Sequence, residues 1–252
     1  MKAIVLAAGQ GTRLRPLTDD RPKCLVEVAG KTILEHIVRA LRSAGVDDIT
    51  VVTGYRADQI QRYQLATRHN ERYATTNMVY SLFCAEDLLV DDDVLVVYGD
   101  IVFHPDAVKR LIAEPAGVSI AVNTNWLEVW QVRMEDPLSD AETLRVDESN
   151  HIVDIGNKAG SLEEIEGQYM GLMLFRAHQL SAIRAMYHEL RDAGDTTRFD
   201  NLMMTDFLQL IRDRVAPLQA VFVPGGWIEV DSVEDREAYL NHPESLAFIE
   251  RF

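Results

Sequence analysis

"KAIVLAAGQGTRLRPLTDDRPK", residues 2–23, begins as an unbroken apolar run and meets glycine at Gly9 and Gly11. It then sets out Arg13, Arg15, Arg21 and Lys23 among prolines. A short apolar run closed by glycine suits a strand buried on both faces of a parallel sheet. The same pattern returns in "DITVVTG" (48–54), "DVLVVYGD" (93–100), "VSIAVN" (118–123) and "QYMGLMLF" (168–175), with a shorter strand expected in "CLVEV" (24–28). Between these runs, "TILEHIVRALRSAG" (32–45) places apolar residues at helical spacing and ends on Gly45, a plausible cap, while "AHQLSAIRAMYHELRDAG" (177–194) reads as a longer helix. Strands alternating with helices indicate an α/β fold with a mostly parallel central sheet. Such sheets bind ligands beyond the carboxyl ends of their strands. The stretch just past the first strand is therefore the place to look.

The length of 252 residues fits a single domain, 1–252, with the charge-rich and weakly periodic stretch 123–167 expected as an acceptor-side insertion or lid. The net charge is −15, which repels nucleic-acid backbones and anionic membranes, so neither is an expected partner. No apolar run is long enough to span a bilayer, and "AIVLAA" is too short for a secretory signal core. Cys24 and Cys84 form neither a metal spacing nor a disulfide framework, and a reducing cytoplasm is the expected setting. Against this acidic background the first thirty-one residues are a cationic island. There Lys2, Arg13, Arg15, Arg21, Lys23 and Lys31 outnumber Asp19, Asp20 and Glu27. A local surplus of cations points to a small anionic ligand.

Two familiar phosphate loops fail here. A G-x-G-x-x-G fingerprint needs glycine where Leu14 stands, and a Walker A loop ending at Gly30-Lys31-Thr32 needs glycine where Leu25 stands. What remains is G-x-G-T-R, followed by P-L-T and P-K. Gly9 and Gly11 let backbone N–H groups approach a ligand. Arg13 offers a planar fork and Lys23 a mobile point charge, both suited to phosphate oxygens. Pro16 and Pro22 stiffen the loop, so less entropy is lost on gripping a triphosphate.

"LAAGQGTRLRPLTDDRPKCL" closely resembles the signature L-A-A-G-x-G-T/S-R-L-x-P-L-T-x-x-x-P-K-x-L of nucleotidyltransferases that act on sugar phosphates and related small phosphates. "TTNMVYSLFCAEDLL", "VVYGDIVF", "DIGNKAG" and "GGWIEVDSVEDREAYL" are similar, in order and approximate spacing, to the cytidylyltransferase subgroup that uses phosphocholine, 2-aminoethylphosphonate and similar acceptors. The resemblance implies a Rossmann-like nucleotidyltransferase fold and transfer of CMP from CTP, with release of pyrophosphate. Mg²⁺ would be the cofactor and Asp100 and Asp231 its ligands. The implied partners are CTP, a small phosphate or phosphonate, and at most a second copy of the chain as a homodimer. It further implies catalytic roles for Arg13, Lys23 and Lys158, and nucleotide contacts from Leu6, Ala7, Ala8, Gly9, Gly11, Thr12, Asn77, Tyr80 and Ser81. Lys158 would stand near the acceptor's phosphoryl oxygens.

The acceptor side is less defined. Glu229 shares a strand face with Asp231, as a third metal candidate or as an acceptor contact. Trp126 and Trp130, beside carboxylates, suit an ammonium group or simple core packing. Arg133 and Arg145 suit a carboxylate instead. Tyr80 fits either the nucleotide site or the core. No serine, cysteine or histidine constellation argues for a covalent intermediate. Two other readings stay open: a sugar-1-phosphate nucleotidyltransferase using UTP, TTP or GTP, and a non-catalytic nucleotide-binding module.

Overall fold

The run that opens the chain lies at the heart of the sheet. In the computed structural model, which describes residues 1–194 and 199–251, Lys2–Ala7 forms β1 with Ala3, Ile4 and Val5 fully buried. A hairpin of β2 (Glu27–Val28) and β3 (Lys31–Thr32) follows, then β4 (Ile49–Thr53) and β5 (Ala66–His69). Next come β6 (Val94–Tyr98), β7 (Ile101–Phe103) and β8 (Val118–Asn123). The last five strands are β9 (Glu142–Val146), β10 (Ile152–Lys158), β11 (Gln168–Phe175), β12 (Gln219–Val223) and β13 (Trp227–Glu229). Seven of them build the main sheet in the order β12-β8-β11-β6-β1-β4-β5. All pair in parallel except β11, which runs antiparallel to both neighbours. The sheet is thus mostly parallel and flanked by helices, as expected of the Rossmann-like class.

The helices are α1 (Ile33–Ser43), α2 (Met78–Phe83), α3 (Pro105–Ala113), α4 (Trp126–Arg133), α5 (Ala177–Asp192), α6 (Met204–Arg214) and α7 (Val233–Asn241). Helix α1 starts with a full capping box between Thr32 and Glu35, and Gly45 follows its last turn at φ +86°. Its buried face, Ile33, Leu34, Ile37, Ala40 and Leu41, is the apolar stripe read from the sequence, with Val38 only partly covered. The "CLVEV" expectation is shortened by a 3-10 turn over Lys23–Leu25, leaving two residues in β2. That turn aims Lys23 toward the sheet.

The stretch 123–167 supplies α4 and the β9–β10 hairpin. Among the described residues no helix is long and apolar enough to cross a membrane.

Candidate active site

Strands β1 and β6 pair in parallel, so their carboxyl ends open on the same edge. Gly99, just past β6, donates its N–H to the Leu6 carbonyl at 2.9 Å, and a Cβ there would lie only 2.6 Å from that oxygen. Only glycine allows this approach. Beside it is a cavity of about 140 Å³. Leu6, Ala7, Ala8 and Gly9 line it together with Lys23 and Asp100, and α2 adds Asn77 and Ser81. Asn77 caps α2 and reaches the Met203 sulfur, while Ser81 accepts from the fully buried Asn70 at 3.0 Å. A Cβ on Gly9 would point into open space.

Gly11 adopts φ +73°, and a Cβ there would sit 2.8 Å from the Lys23 Cβ. Its carbonyl accepts from Thr18 at 2.8 Å. The tight loop is therefore the shelf on which the Lys23 stem rests. From it the ammonium reaches two distant aspartates: Nζ lies 2.7 Å from Asp100 Oδ2 and bonds Asp231 Oδ1. Arg13 completes the contact, 3.1 Å from Asp231 Oδ2, with its side chain two-thirds exposed. Burial alone would push the Lys23 ammonium toward release of its proton. The charges of Asp100, Asp231 and Glu229 outweigh that and hold its pKa above the ordinary lysine value.

Asp100, Glu229 and Asp231 can bring one carboxylate oxygen each within 4.8 Å of one another. Asp100 Oδ1 is buried without a hydrogen-bond partner, and all the donors are hard oxygens. This set fits a divalent cation such as Mg²⁺. Burial, reinforced by Asp231 and Asp100, pushes the Glu229 carboxyl up to about 8. Burial works against the charged form of Asp231 too, but Lys23 overcomes it and holds that carboxyl below its ordinary value.

Behind the carboxylates stands Arg133, whose side chain is 2% exposed. It bonds Asp235 through Nε at 3.1 Å and Glu229 through Nη1 at 3.4 Å. Asp235 in turn accepts the N–H groups of Asp231 and Ser232, inside the capping box of α7. A second cavity, about 260 Å³, opens on the other side of Asp100. Arg13, Asp231 and Glu229 line it along with Tyr98, Trp130 and Trp227. The hairpin strand β9 contributes Glu142, and β11 contributes Gln168 and Tyr169. Both cavities share Asp100 and Met78, so the two chambers meet where Lys23 bridges the aspartates.

The model of the MobA-like NTP transferase domain matches residues 3–198. The chain belongs to that family. It is a nucleotidyltransferase. Over 252 aligned residues it is 40% identical to the CTP:phosphoglutamine cytidylyltransferase of Campylobacter jejuni, covering 95% of this chain and 99% of that one. It is 39% identical over 99 residues to the choline-phosphate cytidylyltransferase of Streptococcus pneumoniae, a match covering 38% of this chain and 43% of the relative. The fold is also that of the inositol-1-phosphate CTP transferase of T. maritima, with a TM-score of 0.74 at 23% identity, covering 99% of this chain and 96% of that one.

Not every expected residue of the nucleotidyltransferase reaches these two chambers. Thr12 is exposed at the start of a 3-10 turn above the first chamber. Tyr80 turns away from that chamber and lies under the Arg72 guanidinium, 5.2 Å from its carbon. Trp126 is 5% exposed and packs edge-on against Trp130, so Trp130 rather than Trp126 faces the second chamber. Arg133 is consumed by carboxylates behind the wall. Lys158 is exposed at the end of β10, opposite Glu142 in the hairpin register, and makes no ion pair among the described residues. The sequence reading missed Tyr73 and Thr76 beside the first chamber and Tyr98, Glu142, Gln168, Tyr169 and Trp227 around the second. Their sequence cues are positional: Thr76 precedes Asn77, Tyr98 precedes Gly99-Asp100, and Trp227 stands two residues before Glu229.

Proposed function

We propose that this nucleotidyltransferase moves CMP from CTP to a small phosphate or phosphonate, releasing pyrophosphate, with Mg²⁺ as cofactor. The observation that carries the reading is the meeting of two chambers at one charge centre, where Lys23 spans Asp100 and Asp231. The likeness over nearly the full length to a phosphoglutamine cytidylyltransferase supports CTP as donor and puts phosphoglutamine first among acceptors to test.

Both reactants are anions, so the barrier is mainly repulsion plus the charge that develops on the leaving group. The chain's cations answer this. Gly9 and Gly11 shape the loop that receives the triphosphate, Arg13 grips phosphate oxygens, and Lys23 stands between the chambers where charge accumulates. Asp100 and Asp231 would hold Mg²⁺, which supplies charge neutralisation across the phosphates when bound. The chambers fix donor and acceptor on either side of Asp100, converting a collision of like charges into a positioned encounter. Cys24 lines the first chamber, and burial pushes its thiol up to about 12 and disfavours the thiolate, in keeping with direct displacement.

The test is pyrophosphate release by the purified protein with Mg²⁺, crossing CTP, UTP, dTTP and GTP against phosphoglutamine, phosphocholine, 2-aminoethylphosphonate and glucose 1-phosphate. The expected outcome is turnover with CTP and a small non-sugar acceptor. Turnover confined to UTP or dTTP with glucose 1-phosphate would overturn it.

A further inference from the structure

The second chamber contains more negative charge than its role at the phosphates requires. Most of its carboxylates already have a cation or donor. Asp100 and Asp231 face Lys23, Asp231 also faces Arg13, and Glu229 faces Arg133. Asp140 accepts from the Trp130 indole at 3.1 Å and lies 3.8 Å from Arg133. Glu142 differs. Its carboxylate has no hydrogen-bond or ion-pair partner among the described residues, although the side chain lines the chamber. Burial pushes its carboxyl above the ordinary glutamate value, and Asp140 and Asp206 add to the effect. Lys158 stands opposite Glu142 in the hairpin register but forms no ion pair with it among the described residues.

The backbone of Glu142 is clamped in place. The Gln168 side chain, 5% exposed, accepts the Glu142 N–H through Oε1 at 3.3 Å and donates from Nε2 to the Glu142 carbonyl. A buried amide engaged at both ends by the backbone of one residue fixes where its carboxylate emerges. Tyr169 lines the same chamber and packs edge-on against Tyr98 at 5.5 Å. Trp130 and Trp227, stacked at 5.9 Å and 15°, add an apolar wall, and the Trp227 N–H is already used by the Met170 carbonyl. The chamber therefore offers Arg13 beside Asp231, apolar aromatic surface, and on β9 a carboxylate without a partner among the described residues.

We infer that Glu142 receives the ammonium of the acceptor and selects a primary ammonium over a quaternary one or none. The inference rests on the function proposed above and refines it. A primary ammonium donates hydrogen bonds to a carboxylate, whereas a hydrogen atom, a methyl group or a quaternary ammonium in its place does not. A lost charge-assisted bond in a partly buried site corresponds to about a 10- to 100-fold change in kcat/KM.

The test compares acceptors in matched pairs with CTP and Mg²⁺: phosphoglutamine against the same molecule lacking its α-amino group, and O-phosphoethanolamine against n-propyl phosphate. Wild-type protein is expected to favour the amino member by about 10- to 100-fold. Glu142→Gln is expected to collapse that ratio toward unity, and Glu142→Asp, which keeps the charge one methylene back, to retain part of it. A ratio near unity in the wild type overturns the inference and leaves CMP transfer standing, as does a preference for phosphocholine over O-phosphoethanolamine. An equal loss by Glu142→Gln on both members would reduce Glu142 to a structural residue and also overturns it. If Glu142→Gln does not fold, the wild-type ratios and Glu142→Asp decide. Absence of pyrophosphate release with every nucleotide and acceptor refutes the parent reading, and the inference falls with it.

Discussion

Replacing Arg133 by methionine separates two roles for this residue. The sequence places it on the acceptor, whereas the structure surrounds it with Asp235, Glu229, Asp231 and Asp140 at 3.1, 3.4, 3.9 and 3.8 Å. Its side chain is almost wholly covered. Methionine keeps the buried stem and removes the charge, leaving carboxylates packed together without their shared cation. Breaking a buried ion pair from one side costs about 3–5 kcal/mol. For a chain of this size each kcal/mol moves Tm by roughly 2–4 °C, so a drop of about 6–20 °C is expected. Urea unfolding followed by circular dichroism, alongside calorimetry, measures it. Arg133→Lys, which restores charge without the planar fork, is expected to fall between the two. A loss below about 1 kcal/mol, accompanied by a raised KM for the acceptor alone, would refute the assignment and return Arg133 to the ligand.

Gly11→Ala forces a Cβ into the left-handed region and onto the Lys23 stem at 2.8 Å. The backbone cost is about 1–2 kcal/mol, and the displaced ammonium is expected to lower kcat beyond what thermal melting explains. Asp100→Asn is expected to cut turnover by ~100-fold or more with the melt preserved, read by pyrophosphate release across a Mg²⁺ titration. Wild-type turnover would remove it from the metal set. Asp93 meets the start of α5, where the Ala177 N–H and the Arg176 guanidinium overcome the effect of burial and hold its carboxyl below the ordinary aspartate range. A depressed folded pKa stabilises the protein above the unfolded value near 4 and loses that contribution as pH falls through the folded one. Urea midpoints at pH 7 and pH 3 are thus expected to differ less in Asp93→Asn than in the wild type.

The apolar strands and the glycine loop were legible because their signals are local. Periodicity, a bounding glycine and clustered cations all lie within one window, and β1, β6 and α1 appear where those signals put them. The wall of the second chamber was not legible, because its residues come from β6, β9, β11, β13 and α4, with at most three from any one of them. Tyr80 shows the limit at smaller scale. On a helix of six residues, Asn77 at the cap, Met78 and Ser81 face the first chamber, and Tyr80 falls on another side. Trp126 and Trp130 pack against each other four residues apart on α4, but which of them faces the chamber depends on Trp227, nearly a hundred residues later. The role of Arg133 also depended on distance, since Asp235 and Glu229 come from the far end of the chain.

The bridge made by Lys23 ties residues near the start of the polypeptide to its last quarter through a covalently tethered positive charge. Such an internal counter-ion keeps the two aspartates from repelling each other whether or not a divalent ion is supplied. Protein stripped with EDTA is therefore expected to stay folded through storage and to regain full competence on simple addition of salt, without a refolding step.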